Sequence, residues 1–370
     1  MLTRRVICIV LCSMILLPVT APPVVAEWDD DNWLWNIIGP ERLELGDEFG
    51  CHGFEGIDVR EENWVIEQCR DYLTEFTDAS RWGSQPVSFG HPNGPIDANT
   101  AQSISDAGFS IVGDMIEGDS NGLHVVQRLT SLEKGQTNLT ALENAEQDSL
   151  VSIYWIARWH DVNIREDKDA ISLLTSQQVW FTTWGEWHGH KISGESFDRI
   201  LTVDPQVSTY RISTLGNSSW SVPGTALFEW SEAPTSIQFD GEEALIIPSS
   251  QRHLITGIRP VDGGAYVTAP PGSMIDFIFE SQDVSISHTP QTTFNGLHHS
   301  VSVVGHHVTN LHDWSSDFHQ SPLRFTWLIE RPAALEMDWR LPVLAVAVLI
   351  STPIAIKWVV TRDKAARSEE

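Results

Sequence analysis

Leu150-Val-Ser-Ile-Tyr-Trp-Ile156, continued by Ala157, Arg158 and Trp159, is the run whose reading decides the fold class. Val151, Ile153, Trp155, Ala157 and Trp159 share one face of an extended chain, and Leu150, Tyr154 and Ile156 share the other. Side chains alternate across a strand, so both faces are apolar, as in a central strand covered on each side. Before it, Leu123, Val125, Gln127 and Leu129 alternate in the same period. After it, Ile171, Leu174 and Gln178 predict a short helix over 167–178, and strands are expected at 179–187, 200–203 and 207–213.

Beyond 216, strand-like segments recur at 226–230, 236–239, 244–247, 254–258, 265–268, 274–279, 284–287, 301–304 and 325–329. Asp240-Gly241, Asp262-Gly263-Gly264 and Pro270-Pro271-Gly272 punctuate them. Short strands between regular turn signals predict antiparallel sandwich or barrel-like modules. The expected fold class is therefore mainly β, with an N-terminal amphipathic helix and one C-terminal transmembrane helix. The first helix is expected over 58–78, where Asp58 and Glu61 have capping-box spacing and Val65, Cys69, Tyr72 and Phe76 share a face. Gly-, Pro- and Ser-rich stretches at 81–99 and 216–223 divide the body into an acidic, tryptophan-rich region 27–99 and β-rich modules 100–215 and 216–335.

The two ends supply an address. Arg4 and Arg5, the apolar run 6–17 and Val24-Val25-Ala26 read as a secretory signal peptide over 1–26. Residues 341–360, LPVLAVAVLISTPIAIKWVV, carry one ionisable group, Lys357. About twenty helical residues cover the roughly 30 Å of bilayer hydrocarbon, so a lipid bilayer is the first expected partner. The tail 361–370 and Lys357 are rich in basic residues, which belong on the cytoplasmic side. These signals predict a single-pass cell-membrane protein with its body extracytoplasmic and a short cytoplasmic tail.

The chain carries a net charge of −27; setting aside +2 in the leader and +1 in the tail leaves the body at −30. Such a body repels phosphate backbones, which excludes nucleic acid as a partner. The acidity is dispersed, as on a solvated face. Cys8 and Cys12 leave with the leader, and an exported chain meets an oxidising compartment, so Cys51 and Cys69 are expected to form a disulfide. Closing so short a loop contributes about 3 kcal/mol. Asn138-Leu-Thr and Asn217-Ser-Ser are glycosylation acceptor sequences.

Two histidine-rich stretches are candidates for a divalent metal as cofactor. His288, His298, His299, His306, His307, His312 and His319 are seven of the fourteen histidines. A hairpin turning near Gly305 would bring His299, His307 and His312 together, and imidazole is a ready zinc or copper ligand. In WGEWHGHKISGE, Glu186, His188 and His190 would share a face of an extended strand. His188-x-His190-x4-Glu195 resembles the first metal motif of cupin barrels, from which its glycine spacing departs. Gly118-Asp119-Ser120 is similar to the nucleophile turn of GDS-type esterases, whose late Asp and His are spaced three apart rather than two, as Asp317 and His319 are.

Sixteen tryptophans offer stacking surfaces for an extracellular glycan or protein ligand. Trp82, Trp184, Trp187 and Trp314 read as loop residues, Trp155 and Trp327 as core. The expected function is recognition or structural display at the cell surface. The alternative is a metal-dependent ectodomain, possibly an enzyme.

Overall fold

A computed structural model of the chain describes residues 42–367 apart from 55, 92–93, 115, 119, 133–136, 157–166, 203, 214–218, 307–320 and 332–339. The chain divides into two compact units, Trp28–Pro332 and a second made of 1–27 and 333–370. The leader therefore lies outside the described residues.

In the larger unit the first strands are β1 (Glu48–Phe54), β2 (Ser88–Gly90), β3 (Gly94–Pro95), β4 (Ile111–Gly113), β5 (Ile116–Glu117), β6 (His124–Val125), β7 (Arg128–Ser131), β8 (Leu150–Ile156) and β9 (Val179–Phe181). Next come β10 (Phe197–Ile200), β11 (Val207–Ile212), β12 (Gly224–Trp230), β13 (Ser236–Phe239), β14 (Glu242–Glu243), β15 (Gly257–Val261), β16 (Gly264–Ala269), β17 (Met274–Ile278) and β18 (Ile286–Gln291). Two more, β19 (His299–His306) and β20 (Phe325–Arg331), complete the set. Helices α1 (Trp64–Phe76), α2 (Ala98–Asp106), α3 (Leu139–Glu143), α4 (Lys168–Ser176) and α5 (Trp184–Gly194) lie between them.

The largest sheet runs β6-β4-β2-β1-β20-β19-β8-β7, and every one of its pairs is parallel. Its two ends, β6 and β7, are separated in the chain by Val126 and Gln127 alone. In an open sheet of eight strands those ends would stand about 34 Å apart at 4.8 Å per step. Two linking residues reach about 10 Å. The sheet must therefore close on itself, with 124–131 as one interrupted strand joining both edges. β9 pairs with the first residues of β19, along the edge that β20 occupies further on.

This parallel wall corrects the expected antiparallel arrangement. A run apolar on both faces fits a parallel barrel strand, which packs inward on the barrel core and outward on other elements. The late strands expected at 301–304 and 325–329 belong to this wall as β19 and β20, not to the sandwich. The boundaries expected at 99/100 and 215/216 fall inside the same compact unit.

The antiparallel reading does describe the segment between α5 and β19. There a five-stranded sheet, β10-β11-β17-β13-β14, faces a four-stranded one, β15-β16-β12-β18. Phe197, Tyr210, Phe228, Val267 and Phe277 fill the core between them. Burying such aromatic and aliphatic side chains stabilises by about 1.5–3 kcal/mol each. The strand expected over 179–187 ends at Phe181. Thr183 then caps α5, its hydroxyl accepting from the Glu186 N–H.

On the other side of β1, the helix expected over 58–78 begins at Trp64 after Asn63. Asp58 does not cap it, because its carboxylate is taken by the backbone and guanidinium of Arg60. Val65, Ile66, Cys69, Tyr72 and Leu73 form the buried face. Cys51 and Cys69 are bonded, with Cα atoms 6.0 Å apart, and fasten β1 to α1.

In the smaller unit α6 (Arg340–Arg367) contains Pro342–Arg362, 21 residues of mean hydropathy 2.2, long and apolar enough to cross a membrane. The Arg362 guanidinium lies over the Trp358 ring, a pairing suited to the edge of a bilayer.

Candidate functional site

The barrel interior is built around one indole. The Trp184 backbone N–H donates to Thr326 Oγ1 on β20, and its ring Nε1 donates to Ser152 Oγ on β8. A Cβ on Gly113, at the end of β4, would sit 2.3 Å from the same ring. These three strands are not neighbours, so only a side chain inside the barrel reaches all of them. Gly185 and Gly189 let Trp220 and Val222 pack onto α5 at distances a Cβ would forbid.

Beside the plug, Glu48 accepts from Ser88 Oγ at 2.5 Å and from the Gly185 N–H, at the start of α5, at 2.7 Å. Its carboxyl is pushed up to about 7, by burial first, against the lowering effect of those hydrogen bonds. Glu48, Ser88 and Phe325 stand at the starts of their strands. This end is the floor of the barrel.

Parallel strands gather all their C-terminal ends at the opposite rim. There β1 presents His52, β20 presents Glu330, and His91 and Asp114 directly follow β2 and β4. A Cβ on Gly90 would lie 2.7 Å from the His52 ring, so this glycine lets the imidazole lie across β2. His52 Nδ1 stands 3.4 Å from Glu330 Oε1, with side chains 14% and 9% exposed. These two, with Phe54, Gly56, Ile57 and Asp58, line an open cavity of about 330 Å³. Arg60 holds the Asp58 carboxyl down at about 2, and His91 adds to that effect.

Next along the rim Asp114 accepts from the Arg128 backbone N–H at 3.1 Å and from its Nε at 2.6 Å. The Arg128 guanidinium lies 3.7 Å from the centre of the Tyr154 ring. It is thus fixed by both an ion pair and a cation–π contact. Of these rim groups His52 and Glu330, an imidazole beside a carboxylate, line the cavity. Those groups can orient a small polar ligand and move a proton.

The residues singled out from the sequence lie elsewhere. Because 184–194 is helical, Glu186, His188 and His190 do not share the face that a strand would give them. Glu186 accepts from Arg81 at 2.9 Å, from Trp82 Nε1 at 2.6 Å and from Thr182 Oγ1 at 3.0 Å. His188 stacks on His124 with ring centres 4.9 Å apart, and burial lowers its pKa to about 4. His190 Nε2 is 2.8 Å from Thr225 Oγ1, and burial lowers its pKa to about 3.

The expected hairpin at Gly305 is instead the straight parallel strand β19. His299 Nδ1 faces His298 Nδ1 at 3.0 Å, while His307 and His312 lie outside the described residues. Among the described residues, no three His, Cys, Asp or Glu side chains have a metal-holding arrangement. Asn138 caps α3, its side chain accepting from the Ala141 N–H; Asn217 lies outside the described residues. Trp184 and Trp187 are buried rather than displayed on loops, and Trp155 and Trp327 are core residues. Trp314 lies outside the described residues.

Sequence reading passed over His52 as a ligand group, and missed His91, Asp114, Arg128 and Glu330. A signal existed. Phe89-Gly-His91, Ile111-Val-Gly-Asp114 and Trp327-Leu-Ile-Glu330 each close an apolar run with a polar residue. No protein-family model, curated protein or solved structure matches this chain.

Proposed function

We propose that this is a membrane-anchored recognition protein whose barrel mouth binds a small, hydroxyl-rich ligand, such as a sugar residue of a glycan, on the extracytoplasmic side. One observation carries the reading: His52, His91, Asp114, Arg128 and Glu330 come from separate strands to one rim of a parallel barrel. Enzymes built on such barrels keep their sites at that rim, where loop and strand-end residues converge. The cavity is at the small end of the range for ligand sites, which suits one ring rather than a polymer cross-section. The acidic body disfavours anionic ligands, and neutral polyols remain well suited to paired donors and acceptors.

The anchor reading adds α6 as the membrane span, with the basic flank inside and the barrel outside. The Cys51–Cys69 bond supports an oxidising compartment. The test is a glycan array and calorimetric titration with the detergent-solubilised full-length chain. Binding of one class of neutral oligosaccharide, weakened at least about tenfold by Glu330→Gln, is expected, as loss of one charged hydrogen bond implies. Absence of glycan binding, or binding indifferent to Glu330→Gln and Arg128→Met, would overturn it.

A further inference from the structure

We infer that the barrel mouth also cleaves its ligand: His52 is the general base of an ester hydrolysis, with Glu330 as its positioning residue and an O-acylated sugar as the substrate class. This rests on the reading of the mouth as the ligand site.

The inference starts from how the rim carboxylates are engaged. Asp58 is held by Arg60, Asp114 by Arg128, and Glu330 faces His52. Cleaving a glycosidic bond needs two carboxyl groups in different protonation states flanking it, one of them a proton donor. Asp58 is instead driven towards the charged form, and Asp114 is committed to its contacts with Arg128. The arrangement that does recur in hydrolysis is an imidazole steered by a carboxylate. With Nδ1 turned to Glu330, the proton of neutral His52 belongs on Nδ1, and Nε2 is the atom assigned to the reaction. The 3.4 Å separation suits a pair that tightens when substrate arrives.

Both lie on the wall of the cavity, so a carbonyl bound there is within reach of the same imidazole. In the assigned step Nε2 takes a proton from water while the water oxygen bonds to the ester carbonyl carbon. The tetrahedral adduct then collapses: the bond to the alcohol oxygen breaks, its electron pair leaves with that oxygen, and the imidazolium returns the proton to it. A carboxylic acid and a free hydroxyl result, with no oxidant or reductant required. An ester suits a single general base, since one proton taken from water and returned to the leaving oxygen completes the cycle.

The test uses full-length protein in detergent, with p-nitrophenyl acetate and then an O-acetylated monosaccharide as probes. Saturable acetate release is expected, with kcat falling about 10²- to 10⁴-fold in His52→Ala. With the O-acetylated monosaccharide, added imidazole should restore part of the His52→Ala rate above that of imidazole without protein, which a structural loss would not allow. Glu330→Gln should lower kcat and Glu330→Asp recover much of it. Should His52→Ala misfold by circular dichroism, His52→Gln takes its place, with the same loss of kcat expected. Wild-type protein that binds the sugar but releases no acetate, or releases it equally well without His52, overturns the hydrolysis and leaves the recognition site standing. Failure of the sugar to bind at all overturns both.

Discussion

Two ends of one barrel use the same strand differently. β1 places Glu48 at the floor and His52 at the mouth, both on its inner face. At the floor Glu48 meets Ser88 and the start of α5, Glu186 meets Arg81, Trp82 and Thr182, and Trp184 fills the space between. At the mouth, His52 and Glu330 line a cavity. Burial holds the floor carboxyl Glu48 up at about 7, while an arginine holds the mouth carboxyl Asp58 down at about 2. The floor is packed around a buried indole, whereas at the mouth one imidazole–carboxylate pair lines a cavity. In parallel barrels, the first kind of constraint belongs to stability and the second to function.

The largest effect expected from this contrast is at the plug. Trp184→Ala should cost about 3–5 kcal/mol in denaturant unfolding of the solubilised chain, the range for emptying a large buried aromatic site. Gly113→Ala should also destabilise strongly, because its Cβ would meet the indole. In the Trp184→Ala background part of that second cost should vanish, the rest coming from the Val126 carbonyl 2.8 Å from the same Cβ, and a double-mutant cycle reads the coupling directly. Additive losses would mean that Gly113 and Trp184 do not meet, and the picture of a plugged floor would break.

Next in size is the disulfide. Reduction, or Cys51→Ser with Cys69→Ser, should lower stability by about 2–4 kcal/mol. The loss should leave ligand binding intact, because Cys51 faces away from the cavity towards α1, which carries Cys69. Loss of binding in a chain that remains folded would show that the outer staple and the mouth are not independent.

Much of this architecture was legible from the chain alone, and the gaps have physical causes. Runs apolar on both faces located β8, and turn spacing located the sandwich strands, because burial and turn chemistry are local properties. Strand direction was not legible: parallel pairing depends on partners from distant parts of the chain, as β1 and β20 are. The stretch 184–194 carries three glycines and looked extended. It is helical because Thr183 caps it and because Gly185 and Gly189 accept Trp220 and Val222. The candidate site hid for the same reason as strand direction. His52, Asp114 and Glu330 have no meaningful spacing in sequence, and only the closed sheet brings them to one rim.

A smaller effect, read through pH, separates the two ends again. The Glu48 carboxyl has its folded pKa raised from about 4.5 to about 7, so its contribution to stability is complete below pH 4.5 and lost as pH rises through 7. The loss is at most about 3 kcal/mol at 1.36 kcal/mol per unit. Buried His190 acts in the opposite sense: its lowered pKa gives stability that is present above pH 6.5 and lost as pH falls towards 3. Thermal unfolding should therefore lose ground on both sides of the weakly acid range. In Glu48→Gln the fall between pH 5 and 8 should flatten while the acid limb stays. An unchanged profile would place the titrating group elsewhere.

The smallest change in stability is expected at the mouth, and its smallness is the point. Glu330→Gln keeps the side chain's shape and sits beside a partly exposed imidazole, so one weakened polar contact should cost about 1 kcal/mol or less. The same substitution should weaken ligand binding about tenfold, the loss of one charged hydrogen bond. Floor variants should show the reverse, large losses of stability with affinity retained in whatever fraction stays folded. If Glu330→Gln unfolded the protein as severely as Trp184→Ala, the mouth would be a second structural layer. The division of labour along β1 would then collapse into one continuous core.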